Sequence, residues 1–322
     1  MTQVDLTPRD RSKLVKRAAA ATVLVASVLF LGYGVYINWQ ELREYDWHFN
    51  YAYLLLAAIA LLLAFISNVV GWGLIIGHLG GPRDFRKNAE IYCLAAHGKR
   101  LPGPVWYVAG RAYLYEREAV PVSVIVQGSV WEIVSQLLSG LIVYAILLPL
   151  YREIQYSSFN YLLLAAIPLF LLILSPSIFQ QLLRWLRRDQ QEVKLIPVSW
   201  RNKALWLTVY LLGWLAGGAI LYFLAGAVSS VSLSLLPACW GFVALSGIVS
   251  TLAFFLPGGV GAREVSLSLL LSSYVPLSVA IALALLFRVW ILVGETILLI
   301  FFWSVTKSRL WDYFVHLTQR EY

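Results

Sequence analysis

Six ionisable side chains stand in or beside apolar sequence, where charge is expensive: Arg111, Glu132, Arg263, Glu264, Arg288 and Glu295. A charged group at the bilayer midplane costs about 2.5–3.5 kcal/mol on insertion scales, so such groups are usually paired, face a wet cavity, and mark substrate paths. Their types suit a polar, anion-bearing ligand. Guanidinium groups pair with phosphate, and carboxylates either balance those arginines or receive a cationic group. Glu132 shares a helical face with Gln136 and Ser139, and Arg288 shares one with Glu295 two turns on. The competing reading is structural, with Glu132, Arg288 and Glu295 as buried ion pairs that only hold a bundle together. For the set as a whole, the local sequence favours a cavity.

Two helix-breaking stretches lie beside these charges. The first is Leu101-Pro102-Gly103-Pro104-Val105, followed by Arg111. The second is Leu256-Pro257-Gly258-Gly259-Val260-Gly261, followed by Arg263 and Glu264. Proline removes a backbone donor and glycine removes the side chain, so a helix does not run through either. Broken backbone at membrane depth is tolerated only inside protein or against a water-filled cavity. The short helix after each break would turn its positive end and free N–H groups toward an anion. Pro102, Gly103, Pro104, Pro257, Gly258, Gly259 and Gly261 are therefore read as the break residues. A loop at the end of a span is the plainer reading of Pro-Gly alone.

The elements that must position these residues are helices. The chain has 322 residues, 60% of them hydrophobic and 13% charged, with a mean hydropathy of +0.73. That composition predicts an all-α polytopic membrane protein of about six to eight transmembrane helices in a single integral membrane domain. Basic residues 1–17 precede an apolar run over 18–37, read as an uncleaved first span. A span over 51–77 and a basic loop at 83–87 follow. The first broken unit covers 88–174: two half-helices around the break, then a span over 120–150 carrying Glu132, then one over 161–174. Residues 175–203 form a basic linker whose start, 178–188, has the pattern of an amphipathic surface helix. A span over 204–228 leads to the second broken unit at 235–303, and 304–322 is a tail. The aromatic stripe Trp106, Tyr107, Tyr113 and Tyr115 reads as interfacial anchoring.

Eighteen of the 25 lysines and arginines fall in segments this topology puts inside, and two fall in outer loops. That bias places both termini in the cytoplasm. The net charge of +8 is thereby accounted for without nucleic acid. The second broken unit then either starts from the outer face or crosses with its first half and returns with its second. With the two units entering from opposite sides, the chain reads as an inverted repeat, whose paired interruptions point to a transport site.

Several chemistries drop out. No phosphate-binding Gly-x-x-x-x-Gly-Lys loop and no nucleophile elbow occur. Cys93 and Cys239 lie far apart in apolar sequence and the four histidines are scattered, so neither a disulfide framework nor a metal centre is expected. No cofactor is called for, and no catalytic spacing links Glu132 to Glu295.

The two break motifs, with Arg111 and with Arg263-Glu264, resemble the transmembrane flippase region of the lysylphosphatidylglycerol synthase family. The spans carrying Glu132, Arg288 and Glu295 fit that pattern, and the resemblance extends over roughly residues 15–305. The first motif departs from the glycine-rich form at Pro104 and Trp106. Full-length family members add a soluble aminoacyltransferase domain. This chain stops shortly after its last span, so lysyl transfer is not expected. The resemblance implies a bacterial lipid-translocating module in the cytoplasmic membrane, acting on a phospholipid or lipid-linked substrate at an anionic lipid surface. The alternative is a membrane subunit or scaffold for a separate synthase or glycosyltransferase.

Overall fold

The computed structural model describes residues 22, 25–98, 105–116, 118–150, 196–253, 256 and 259–306. All secondary structure among them is helical: α1 (Val25–Ile37), α2 (Trp39–Glu44), α3 (Tyr51–His78), α4 (Phe85–Gly98), α5 (Val105–Glu116), α6 (Val122–Leu147), α7 (Trp200–Val228), α8 (Leu235–Leu252), α9 (Ala262–Leu271) and α10 (Leu277–Thr306). A 3₁₀ turn, Leu148–Leu150, extends α6. The expected span at 161–174, the amphipathic helix at 178–188 and the two terminal segments 1–17 and 307–322 lie outside the described residues. So do Pro102, Gly103, Pro104, Pro257 and Gly258.

Five of the described helices are long and apolar enough to cross a membrane: α3, α6 with its 3₁₀ turn, α7, α8 and α10. Their boundaries follow local chemistry. The Asn50 side chain accepts from Ala52 N at 3.0 Å and starts α3. Ser199 accepts from Asn202 N at 3.3 Å, so α7 begins four residues before the hydropathy-based expectation. An oxygen at the N-cap satisfies a donor that the first turn cannot. Pro121 precedes α6, and Pro276 precedes α10, where its ring blocks continuation of the preceding turn.

Hydrogen bonds fix which helix ends lie together. Let the end where α3 begins be the upper one. There His48 N and Asn50 N donate to the carbonyls of Val228 and Ala227 at the close of α7, both at 2.9 Å. Ser278 at the start of α10 donates to Glu41 at 3.0 Å. At the lower end, His78 of α3 bonds the Pro197 carbonyl and the Asn202 amide beside the start of α7.

The α4–α5 and α8–α9 pairs open at opposite ends of this bundle. In the α4–α5 pair, Lys87 near the start of α4 binds Glu118, just past α5, at 2.8 Å, beside the lower end of α3. In the α8–α9 pair, Phe242 of α8 meets Tyr274, just past α9, with ring centroids 5.7 Å apart. That pair opens upward, because α8 follows the upper end of α7 and α9 leads into the upper end of α10.

The largest core lies among α6, α7, α8 and α10 around Tyr144, Leu221, Phe242 and Phe287. Glycine brings the helices together. A Cβ on Gly218 of α7 would strike the backbone of Trp240 in α8, and one on Gly213 would stand 3.0 Å from Ser67 Oγ of α3.

Candidate functional site

The six charges resolve into three environments. The first is a closed pair. Arg111 of α5 and Glu132 of α6 are 0% and 1% exposed and form a two-pronged ion pair, with Nη2 donating to Oε1 at 3.2 Å and Nη1 to Oε2. Tyr107, one turn before Arg111, donates to the same carboxylate, at 3.0 Å from Oε2. The guanidinium lies 3.6 Å from the Trp72 ring centroid and 4.0 Å from that of Tyr107. Trp72 Nε1 donates to Tyr115 Oη at 2.7 Å, which donates to Asn88 Oδ1 at 2.6 Å, and Asn88 donates to the Pro82 carbonyl. Gly128 leaves the space that Trp72 fills.

This arrangement corrects the reading of the aromatic stripe. Tyr107 and Tyr115 are 5% and 0% exposed, and they serve the buried arginine rather than an interface; Trp106 is exposed. The physical reason is that a buried guanidinium must be surrounded by acceptors and π faces.

The second environment ties α9 to α10. Glu264 is buried, and its Oε2 accepts from Gly261 N at 2.7 Å, closing the first turn of α9. Its Oε1 lies 3.4 Å from Arg288 Nε, an ion-pair contact without hydrogen-bond geometry. The backbone before α9 requires glycine. Gly259 and Gly261 have φ of +63° and +87°, a region L side chains rarely enter. A Cβ on Gly259 would hit the Ser250 hydroxyl, and one on Gly261 would hit Ser27 of α1.

The third is a cavity of about 250 Å³ bounded by α3, α4, α6, α7, α8, α9 and α10. Arg263 and Glu295 both line it, together with Asn68, Gln136, Ser250 and Thr251. The Arg263 guanidinium carbon lies 5.1 Å from the Phe287 ring centroid. Its Nε is buried with no hydrogen-bond partner. Around the wall, Gln136 Nε2 donates to Asn68 Oδ1 at 3.2 Å, and Trp214 Nε1 donates to the Gln136 carbonyl at 2.9 Å. Trp214 is wedged between Gly140 of α6 and Gly247 of α8. Tyr92 belongs to both environments, lining the cavity and standing 5.3 Å from the Arg111 guanidinium on its other side.

The structure therefore brings Arg263 and Glu295 to one cavity, pairs Glu264 with Arg288, and sequesters Arg111 with Glu132. Sequence reasoning missed Asn68, Tyr210, Trp214, Ser250 and Thr251. A polar side chain inside a long apolar run, as Asn68 is in α3, was the available signal. Among the described residues, no group of three or more His, Cys, Asp or Glu side chains could hold a metal ion. Cys93 and Cys239 are both buried free thiols.

A search of curated proteins returned no match. The family described as the lysylphosphatidylglycerol synthase TM region matches residues 19–298, which takes in both opposed helix pairs and all six charged positions. With five helices of spanning length and this match, the chain is a multi-pass membrane protein and belongs to the lysylphosphatidylglycerol synthase transmembrane-region family.

Proposed function

We propose that the protein is a lipid flippase-like translocator that carries the head group of a phospholipid or lipid-linked substrate across a bacterial cytoplasmic membrane. The observation that carries this reading is the polar cavity between two helix pairs opening at opposite ends, with Arg263 presented to it. Interrupted helices at the meeting of opposed halves are where secondary transporters bind their cargo. At about 250 Å³ the cavity suits a head group and leaves acyl chains outside in lipid. Arg263 would take the phosphate through charge-assisted hydrogen bonds, and Glu295 would balance it or meet a cationic group on the cargo. Asn68, Gln136, Ser250 and Thr251 supply neutral donors and acceptors that exchange for water as the head group enters. Arg111 and Glu132 hold the lower helix pair in place, and Glu264 with Arg288 anchors α9.

Translocation in this reading involves no catalytic step of the protein's own. It runs without an ATP motor, either energy-independent or coupled to a gradient. The lower end faces the cytoplasm, because Arg83, Arg86, Lys87, Arg201 and Lys203 gather there while Glu41, Glu44 and Asp46 lie at the upper end.

Head-group accessibility in proteoliposomes tests the proposal, with labelled anionic, zwitterionic and aminoacylated phospholipids as probes. Scrambling above protein-free vesicles is expected, and Arg263→Ala should abolish it while the protein still folds. Equal scrambling by Arg263→Ala would remove this residue from the path. No scrambling of any lipid would sink the translocator reading.

A further inference from the structure

A second recess lies at the lower end of α3, away from the central cavity. Its volume is about 370 Å³, and its polar lining is His78, Arg83, Asn88 and Asn202. Local sequence builds it. Gly80, at φ +92°, and Gly81, whose N bonds the Ile76 carbonyl at 2.8 Å, fold the chain back at the close of α3. Asn88 holds that turn by donating to the Pro82 carbonyl at 2.9 Å. The turn lays the Arg83 stem across Gly77, where a Cβ would come within 2.9 Å of its Cγ. The guanidinium is thus placed on the rim of the recess. Arg83 has no hydrogen bond or ion pair among the described residues.

The rest of the wall is rigid and donor-rich. The His78 ring is held between two partners, with Nε2 at 3.1 Å from the Pro197 carbonyl and Nδ1 at 2.9 Å from Asn202 Nδ2. Asn202 keeps a second amide N–H, and Asn88 Nδ2 approaches the bare Gly73 position to 3.3 Å from where a Cβ would be. Among the described residues, no acidic side chain lines the recess. Asp84, the neighbour of Arg83 in sequence, caps α4 by accepting from Arg86 N at 2.8 Å. A guanidinium that has no partner among the described residues, set beside amide donors, is a site for an oxyanion.

The apolar side names the rest of the ligand. Gly77 and Gly73 continue at helical spacing into Val70, Ile66, Leu63 and Ile59 along α3, of which Ile66, Leu63 and Ile59 are exposed large hydrophobics. From Leu63 to Gly77 this track runs about 21 Å along the helix axis, enough for much of an acyl chain. Phe85 and Trp200 are exposed at the same end, as aromatic side chains are at head-group level.

We propose that this recess holds a resident phospholipid in the leaflet at the lower end. Its phosphate sits against Arg83 and the Asn88 and Asn202 amides, and one acyl chain follows the Ile59–Val70 face of α3. The lipid is a bound component distinct from any cargo of the central cavity, so the site stands whether or not the protein translocates lipid.

A phosphatidylglycerol carrying a photoreactive acyl chain, incorporated into nanodiscs with the full chain, tests this. Crosslinks should map to the α3 face at 59–70. Losing one charge-assisted bond costs about tenfold in occupancy, and Arg83→Ala should lower the crosslink yield by about that factor. Arg83→Lys should retain most of the yield, Arg263→Ala all of it, and none of the three should lower the melting temperature. A yield unchanged in Arg83→Ala would overturn the proposal. Displacement of the crosslink by millimolar inorganic phosphate would assign the recess to a soluble anion and overturn the lipid occupant.

Discussion

An arginine inside a membrane protein needs somewhere to put its charge, and Arg111 and Arg263 meet that need in opposite ways. Arg111 spends its charge on Glu132, Tyr107 and the Trp72 ring and is wholly enclosed. Arg263 faces a cavity and keeps an unsatisfied Nε. Removing one partner of a buried pair strands the other, at about 3–5 kcal/mol. Glu132→Ala and Arg111→Ala should each lower thermal stability sharply in detergent unfolding curves, and the double variant should lose less than the sum of the two. Arg263→Ala, which leaves the Glu264 cap of α9 and its contact with Arg288 in place, should unfold close to wild type. A neutral Arg111→Ala would mean that the pair does not hold the lower helices. The six charges were legible in the sequence because each interrupts or borders an apolar run. Their pairing was not. Arg288 shares a helical face with Glu295, yet it pairs with Glu264 across helices, and periodicity within one helix carries no information about a neighbour. Tyr107 and Tyr115 were misplaced at an interface because an aromatic stripe looks the same whether it meets lipid head groups or a buried cation.

At the scale of helices, the small residues decide how closely elements pack. The sequence pattern Gly213-x-x-x-Gly217 marks α7 as a packing helix, and Gly213 does meet Ser67 of α3. The tightest approach on α7 belongs to Gly218, whose added Cβ would fall on the Trp240 backbone of α8. Backbone has no rotamer with which to move aside. Gly218→Ala should therefore cost about 1–3 kcal/mol by overpacking, read as a fall in melting temperature of the purified protein. Gly217→Ala, which would meet only Val243 Cγ1 at 3.4 Å, should be near neutral. Equal effects at the two positions would disprove the packing argument. Helix positions were largely legible, because runs such as 51–78 and 277–302 are too long and apolar to be anything else. Boundaries shifted where capping outweighed hydropathy, as at Ser199, which extends α7 through the polar residues Arg201, Asn202 and Lys203.

For the molecule as a whole, the opposed openings of the α4–α5 and α8–α9 pairs were foreshadowed by two Pro-Gly interruptions and by the bias in basic residues. The cavity between them was not, since it is assembled from seven helices whose contacts are long-range. The long helices around that cavity have a further consequence. The apolar stretch of α10, Leu277–Phe302, has 26 residues, and α3 has 28. At 1.5 Å per residue these are about 39 and 42 Å long. A hydrocarbon core is about 30 Å thick, so both are long enough to cross it with some lean, their ends reaching the head-group layers. Thickening the bilayer relieves that lean, and thinning it forces more. Because α3 and α10 both wall the cavity, a change in their inclination reshapes it. Head-group translocation should therefore rise with lipid acyl length in a series of otherwise matched vesicles, and fall in short-chain ones. A flat response across the series would show that the walls stay rigid as the helices lean. In the translocator proposed here, hydrophobic mismatch would make the thickness of the surrounding membrane a control on the protein, acting with no molecule bound at all.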